Sequence, residues 1–216
     1  MGPRMNWRGR SVLITSGPTR EPLDPVRFLT NASSGRMGRA LALAALRRGA
    51  RVTVISGPCP TPLPRGARVV PVGTALQMRR ETLRRWRRAD LVIGAAAVGD
   101  WRFERVRRSK VKRKGAMTVR LVPNPDILAE VGSRRARGSP ALVGFALETG
   151  NEAANAADKL RRKKLDLIVS NGPSSLGSGS GRFALLRSDG TRRVLPPMTK
   201  ERAAGKILKA VEPYLR

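Results

Sequence analysis

The sequence has no histidine and a single cysteine, Cys59. Those two counts exclude Ser-His and Cys-His catalysis, Cys/His zinc sites and disulfide frameworks. Aromatic residues are 4% of the chain, poor material for stacking nucleic-acid bases. Acidic residues are few as well, 15 Asp and Glu against 44 Lys and Arg. No apolar run approaches the roughly 20 residues of a membrane span. After the basic start MGPRMNWRGR, the apolar stretch 12–14 is far shorter than a signal-peptide core of about 7 to 15 residues, so a cytoplasmic location is expected. What remains for chemistry is Lys, Arg, Asp, Glu, Asn, hydroxyls, backbone amides and a hard metal such as Mg²⁺, the means by which proteins handle phosphates.

The 216 residues, 40% of them hydrophobic, suffice for one core of ordinary size. We expect a basic tail over residues 1–10 and a single domain over 11–216. The formal charge of +29 invites a nucleic-acid partner. Yet 35 of the 44 cations are Arg, in a chain also rich in Ala, Gly and Pro, which points to coding bias rather than to a nucleic-acid footprint. The densest run, RRETLRRWRR at 79–88, reads as the solvated face of a helix.

Along the chain, strands and helices alternate. SVLITS (11–16), RVTVIS (51–56), ARVVPV (67–72), DLVIGAAAV (90–98), MTVRLV (117–122), ALVGFAL (141–147) and DLIVS (166–170) read as strands. Helices are expected over 37–48, 74–88, from Asn124 with Pro125 in the first turn, over 151–164 and over 199–214. Residues 172–181 form a Gly/Ser-rich loop, followed by two short strands. The pattern predicts an α/β, Rossmann-like fold. Its sheet would be mostly parallel with helices on both faces and a short antiparallel C-terminal extension, and ligands would sit at the carboxyl ends of the strands.

A dinucleotide fold turns tightly through glycines right after its first strand, whereas here about 20 residues separate that strand from Ser33, Ser34, Gly35 and Gly38 at the helix start. That group reads either as a phosphate cradle or as a plain N-cap with close helix packing. Together with the lack of an acid over 57–66, the delay counts against an NAD(P)-dependent oxidoreductase. Arg20 and Arg27 in the loop suit anionic groups, and Asn31 offers a donor and an acceptor. Lysines are scarce, and six of the nine fall in two clusters, Lys110, Lys112 and Lys114, then Lys159, Lys163 and Lys164. This suggests a need for a compact point charge. Lys159 and Lys163, four apart, share a helix face.

The strings ITSGPTREPLDPVRFLTNASSGRMG, AAAVGDWR, SKVKRK, NPDIL, VGFALET and KLRRKKLDLIVSN, in this order and spacing, resemble the phosphopantothenoylcysteine synthetase family, the ligases of coenzyme A biosynthesis. The resemblance spans about residues 12–171. It implies a ligase that joins 4'-phosphopantothenate to L-cysteine through an acyl-cytidylate, consuming CTP and releasing CMP and pyrophosphate. Bacterial members use CTP and eukaryotic ones ATP, and SKVKRK and KLRRKKLD resemble the bacterial form. A flavin-dependent decarboxylase, often fused ahead of this ligase, would be a separate protein acting next. Mg²⁺ and a homodimer are also implied.

By the same resemblance, Lys110 stabilises phosphoryl charge and Asn31 holds the acyl-nucleotide. Gly17, Ser33, Gly35 and Gly38 cradle phosphates. Asp100 binds nucleotide through Mg²⁺, while Asn124, Pro125, Asp126, Ile127, Phe145, Lys159 and Lys163 match nucleotide-contacting positions. Arg27 reaches a neighbouring subunit's substrate, and Ala97 lies where cysteine is accommodated. Each position has a plainer alternative, such as a turn at Asp100, core at Phe145, an N-cap at Asn124 and a surface ion pair at Arg27. The sequence departs from the family at Pro18, at Gly99 and in the segment GSGSGRFALLRSDG.

Overall fold

The computed structural model of the chain describes residues 6–113, 115–136, 140–147, 152–172 and 178–215. Continuous apolar runs, where β-branched residues fit a doubly covered sheet, form the central strands β1 (Ser11–Ser16), β4 (Arg51–Ser56), β6 (Leu91–Gly94), β9 (Ala141–Leu147) and β10 (Leu167–Asn171). With the edge strand β5 (Arg68–Pro71) they make a parallel sheet in the order β5-β4-β1-β6-β9-β10. Two antiparallel strands, β11 (Ser180–Arg187) and β12 (Arg192–Thr199), extend it past β10 to eight strands. The fold is the expected mostly parallel α/β sheet with an antiparallel C-terminal extension.

Alternate strand residues feed two cores. On one face Ile14, Val54, Ile93 and Val143 pack against α1 (Arg36–Leu46) and α5 (Lys200–Val211), through Leu41, Ile207 and Leu208. On the other, Leu13, Ile55, Val92 and Leu142 meet α2 (Ala75–Arg85), α3 (Ile127–Arg134) and α4 (Glu152–Arg162), through Met78, Val131 and Leu160. Each fully buried aliphatic side chain contributes about 1.5–3 kcal/mol, so both faces are firmly held. Thr74 starts α2 with a reciprocal capping box to Gln77. Asp126 caps α3 and Thr199 caps α5.

Several local expectations shift. The strand expected over 90–98 pairs regularly only over Leu91–Gly94, although Ala95 and Ala97 still donate to the carbonyls of Thr15 and Gly17. Of MTVRLV only its end is paired. β8 (Leu121–Pro123) joins β7 (Trp101–Phe103) in a separate two-stranded sheet. The long loop after β1 contains a hairpin of β2 (Arg20–Pro22) and β3 (Phe28–Thr30). The third helix opens at Ile127 rather than Asn124, because Asp126 accepts from Ala129 N and takes the capping position. The expected start of the fourth helix, Asn151, and residues 173–177 of the Gly/Ser loop lie outside the described residues. Within the stretch read as a tail, Trp7 is 1% exposed and packs in the α1 and α5 core under the Arg48 guanidinium. The hydrophobic core thus already includes the chain four residues before Ser11.

Candidate functional site

The chain runs from β1 through α1 to β4 and β5 on one side and returns through α2 to β6 on the other, so a crevice opens between the carboxyl ends of β1 and β6. Its floor is tight. Gly17 has φ +75°, and a side chain there would meet the Gly57 carbonyl at 2.9 Å. Pro18 bridges to Ala97, and the Ala97 and Val98 carbonyls accept from Asn31 Nδ2 at 3.3 and 3.2 Å. Asn31 therefore presents its amide oxygen to the crevice as an acceptor.

On the α1 side lies a cavity of about 170 Å³. Its rim includes Ser33, Ser34, Gly35, Gly38, Ala97 and Phe145. Gly35 is the α1 N-cap with φ 74°, no side chain caps this end, and the first turn has no acid. Such an end offers backbone amides and the positive pole of the helix to an anion. The two glycines differ in purpose. Gly35 supplies the left-handed turn, whereas a Cβ on Gly38 would sit 2.0 Å from Ser16 Oγ, so Gly38 lets α1 rest directly on β1. Of the two readings left open for Gly38, packing is the one its surroundings explain.

On the α3 side a second cavity of about 490 Å³ is lined by Asn31, Ala97, Asp100, Asn124, Pro125, Asp126, Ile127, Phe145, Lys159 and Lys163. The two cavities share Ala96, Ala97, Phe145 and Leu147. Lys163 Nζ lies 2.7 Å from Asp126 Oδ2, joining the end of α4 to the start of α3. Lys163 N bonds to Lys159 O, which keeps both lysines on one helix face as their spacing predicts. Asn124 is not a cap. Its Nδ2 donates to the Gly99 carbonyl at 2.8 Å, and its Oδ1 accepts from Arg102 at 3.3 Å. These bonds fix the turn at Asp100 beside the start of α3.

Among the described residues no three His, Cys, Asp or Glu side chains gather as metal ligands. With Asp126 engaged by Lys163, Asp100 is, among the described lining residues, the carboxylate left to face the cavity. That donor set fits Mg²⁺, which takes one or two carboxylates and completes its shell with substrate phosphates and water.

Gly17, Arg27 and Lys110 line neither cavity. Arg27 is committed within its own subunit. Its Nε donates to Asp24 Oδ2 at 2.9 Å and its Nη2 to Asp24 Oδ2 and the Val111 carbonyl. Asp24, fully buried at its side chain, also accepts from the amides of Val26, Arg27 and Val111. The Arg27 guanidinium, with these amides, holds the Asp24 carboxyl well below the usual carboxylate range. The network ties the SKVKRK segment, and so Lys110 one residue away, to the hairpin. Lys110 is exposed and Lys114 lies outside the described residues.

Of the cavity residues that the sequence does not single out, one is charged and buried. Lys200, the first residue of α5, is buried and lines the α1-side cavity. The run at 79–88 divides differently from a plain solvated face. Arg79 pairs with Glu130 and Arg87 lies over the Trp86 ring, while Arg84, Arg85 and Arg88 join Arg51 and Arg68 along a cavity at the amino ends of the strands, away from the crevice.

A family model described as the DNA/pantothenate metabolism flavoprotein C-terminal domain matches residues 7–214. The coenzyme A biosynthesis bifunctional protein CoaBC of Bacillus subtilis is 43% identical over 209 residues, 94% of this chain and 51% of that protein. Its Escherichia coli counterpart is 43% identical over 199 residues, 88% of this chain and 48% of that protein. The chain spans about half the length of the curated relatives it matches. The crystal structure of the C-terminal domain of a CoaBC protein superposes with a TM-score of 0.85 at 36% identity, covering 98% of both chains. A Cab2 mutant in complex with phosphopantothenate-cysteine superposes with a TM-score of 0.79 at 19% identity, over 96% of this chain and 87% of that one, a likeness of fold. No helix among the described residues is long and apolar enough to cross a membrane.

Proposed function

Because this chain belongs to the DNA/pantothenate metabolism flavoprotein C-terminal domain family, we propose that it is the ligase that joins 4'-phosphopantothenate to L-cysteine, working in the cytoplasm. The carboxylate of the acid attacks the α-phosphorus of CTP and pyrophosphate leaves. The cysteine amine then displaces CMP from the acyl-cytidylate. The substrate supplies its own nucleophile, so the protein needs no imidazole. Its task is alignment and charge neutralisation.

The observation that carries this reading is the meeting of the two cavities at Ala96, Ala97, Phe145 and Leu147. A nucleoside held by residues 124–127, Phe145, Lys159 and Lys163 can there turn its phosphates toward the amides of α1. Asn31 orients the acyl group, Lys110 on its tethered segment meets the developing phosphoryl charge, and cysteine enters beside Ala97. Asp100 would hold Mg²⁺, whose chemistry there would be neutralisation of phosphate charge. Val26, Phe28, Leu29, Trp101 and Met117 are large apolar side chains left exposed on and beside the two small sheets. That surface supports a homodimer, in which the exposed edge of Arg27 would approach the neighbouring substrate. A flavin-dependent decarboxylase would consume the product.

Incubation with 4'-phosphopantothenate, L-cysteine and Mg²⁺ tests the proposal. Pyrophosphate should appear with CTP far faster than with ATP, and only when both other substrates or the acid alone are present. No pyrophosphate with either nucleotide refutes the ligase, and a preference for ATP refutes the choice of nucleotide.

A further inference from the structure

Lys200 stands where α5 calls for an apolar residue. It continues the buried stripe of Ala203, Ala204, Ile207, Leu208 and Val211 at the spacing i, i+3, i+4, i+7, i+8 and i+11. Its relative exposure is 7%, and no carboxylate or carbonyl among the described residues accepts its ammonium. The side chain is buried along its length and its ammonium is left to the cavity, so the charge is poorly hydrated, a cost that a compensating anion would offset.

The surroundings make the cost larger. Among the described residues that line its cavity none is acidic, and Arg36 and the uncapped, positive end of α1 face it as well. Burial first, and the nearby Arg36 second, push the lysine's pKa below its ordinary value, with Glu201 acting only weakly against them. Lys200 and the pole of α1 thus face one small space whose described lining residues include no carboxylate.

We propose that Lys200 and the first-turn amides of α1 form the subsite for a substrate phosphoryl group, the anion supplying the partner that the fold withholds. The identity of that anion rests on the ligase reading. It is either the β,γ end of the nucleoside triphosphate or the 4'-phosphate of the acid, which share the chemistry of a multiply charged phosphate. Lys200 is a binding residue of the site and lies apart from the two lysine clusters, on the helix that follows the sheet's antiparallel extension.

The test is calorimetric titration of the folded protein with pyrophosphate and, separately, with 4'-phosphopantothenate. It compares wild type, Lys200→Met, Lys200→Gln and the exposed-face control Lys206→Met. Lys200→Met should melt no lower than wild type, because it removes an uncompensated charge from an apolar stripe. It should bind one of the two anions at least about tenfold more weakly, the loss expected for one charge-assisted contact. Weakened pyrophosphate binding assigns the triphosphate tail, and weakened phosphopantothenate binding assigns the 4'-phosphate. Lys206→Met should bind both as wild type does. If Lys200→Met melts lower, Lys200→Gln carries the comparison. Losses under tenfold for both anions, or a wild type that binds neither, overturn the proposal. These titrations need no turnover, so a failure of the subsite and a failure of the ligase assay are told apart.

Discussion

A methyl group on Gly38 should separate the fold from its activity. In Gly38→Ala the new carbon would lie 2.0 Å from Ser16 Oγ, 2.4 Å from Ser16 Cβ and 3.3 Å from Ser16 Cα. Turning the serine hydroxyl relieves only the first clash. Ordinary contact begins near 3.4 Å, so the helix start must lift from the strand by about 1 Å. Ser16 cannot yield, because it ends the central strand β1 and is in register with Ser56. Overpacking of this kind costs about 1–3 kcal/mol, while replacing glycine inside a helix returns about 1 kcal/mol. The net loss of about 0–2 kcal/mol lowers the melting temperature by at most about 8 °C. The α1 amides move with the helix, and a misplacement of about 1 Å can cost about 100-fold in rate. Calorimetric melting and pyrophosphate release at saturating substrates measure the two effects. Ser16→Gly added to Gly38→Ala removes both close atoms and should recover at least about tenfold of the loss, as expected for directly coupled neighbours. Turnover of Gly38→Ala within about threefold of wild type, or no rescue by Ser16→Gly, refutes the reasoning that α1 must sit this close.

Three further perturbations address the hairpin and the crevice. Every hydrogen-bonding neighbour of the Asp24 carboxylate is a donor, so Asp24→Asn places an amide NH₂ against one of them and should hasten tryptic cleavage after Lys110 and Arg113. The same carboxyl titrates below its ordinary 3.8 in the fold. Its stabilising contribution is complete above that value and fades as the pH falls beneath it. Wild-type melting temperature should therefore drop more steeply than that of Asp24→Asn in acid. Asn31→Asp faces a carboxylate toward the Ala97 and Val98 carbonyls at 3.3 and 3.2 Å; turnover should fall at least about tenfold with an unchanged melting temperature. Lys110→Gln should leave melting unchanged and slow acyl-cytidylate formation about 100-fold, the scale of one lost transition-state charge contact, as read by single-turnover pyrophosphate release.

The layered sheet is legible because runs such as SVLITS and ALVGFAL are apolar without alternation, the mark of strands covered on both faces. Spacing draws attention to Gly35 and Gly38. It cannot tell turn from packing, since the answer for Gly38 depends on Ser16, twenty-two residues away. Asn124 and Asp126 flank Pro125, and the rule that proline follows the cap favours Asn124. The Gly99 carbonyl and Arg102 take that side chain instead, a competition no local pattern records. The small sheets stay hidden because three-residue strands carry no periodicity. Lys200 is present in the pattern, at a core position of an otherwise apolar stripe. Scarcity of lysine points to the two clusters and away from the three lysines of the last helix.

The outermost strands of the main sheet, β5 and β12, carry arginines and prolines: Arg68 and Pro71 on one, Arg192, Arg193 and the tandem Pro196 and Pro197 on the other. A proline has no amide to lend to an incoming strand, and a row of guanidinium groups repels its twin on a second molecule. Neither border invites lateral recruitment into fibrils, even at the crowded concentrations of an overexpressing cell. Swapping the proline pair for valines would turn a sealed margin into an adhesive one.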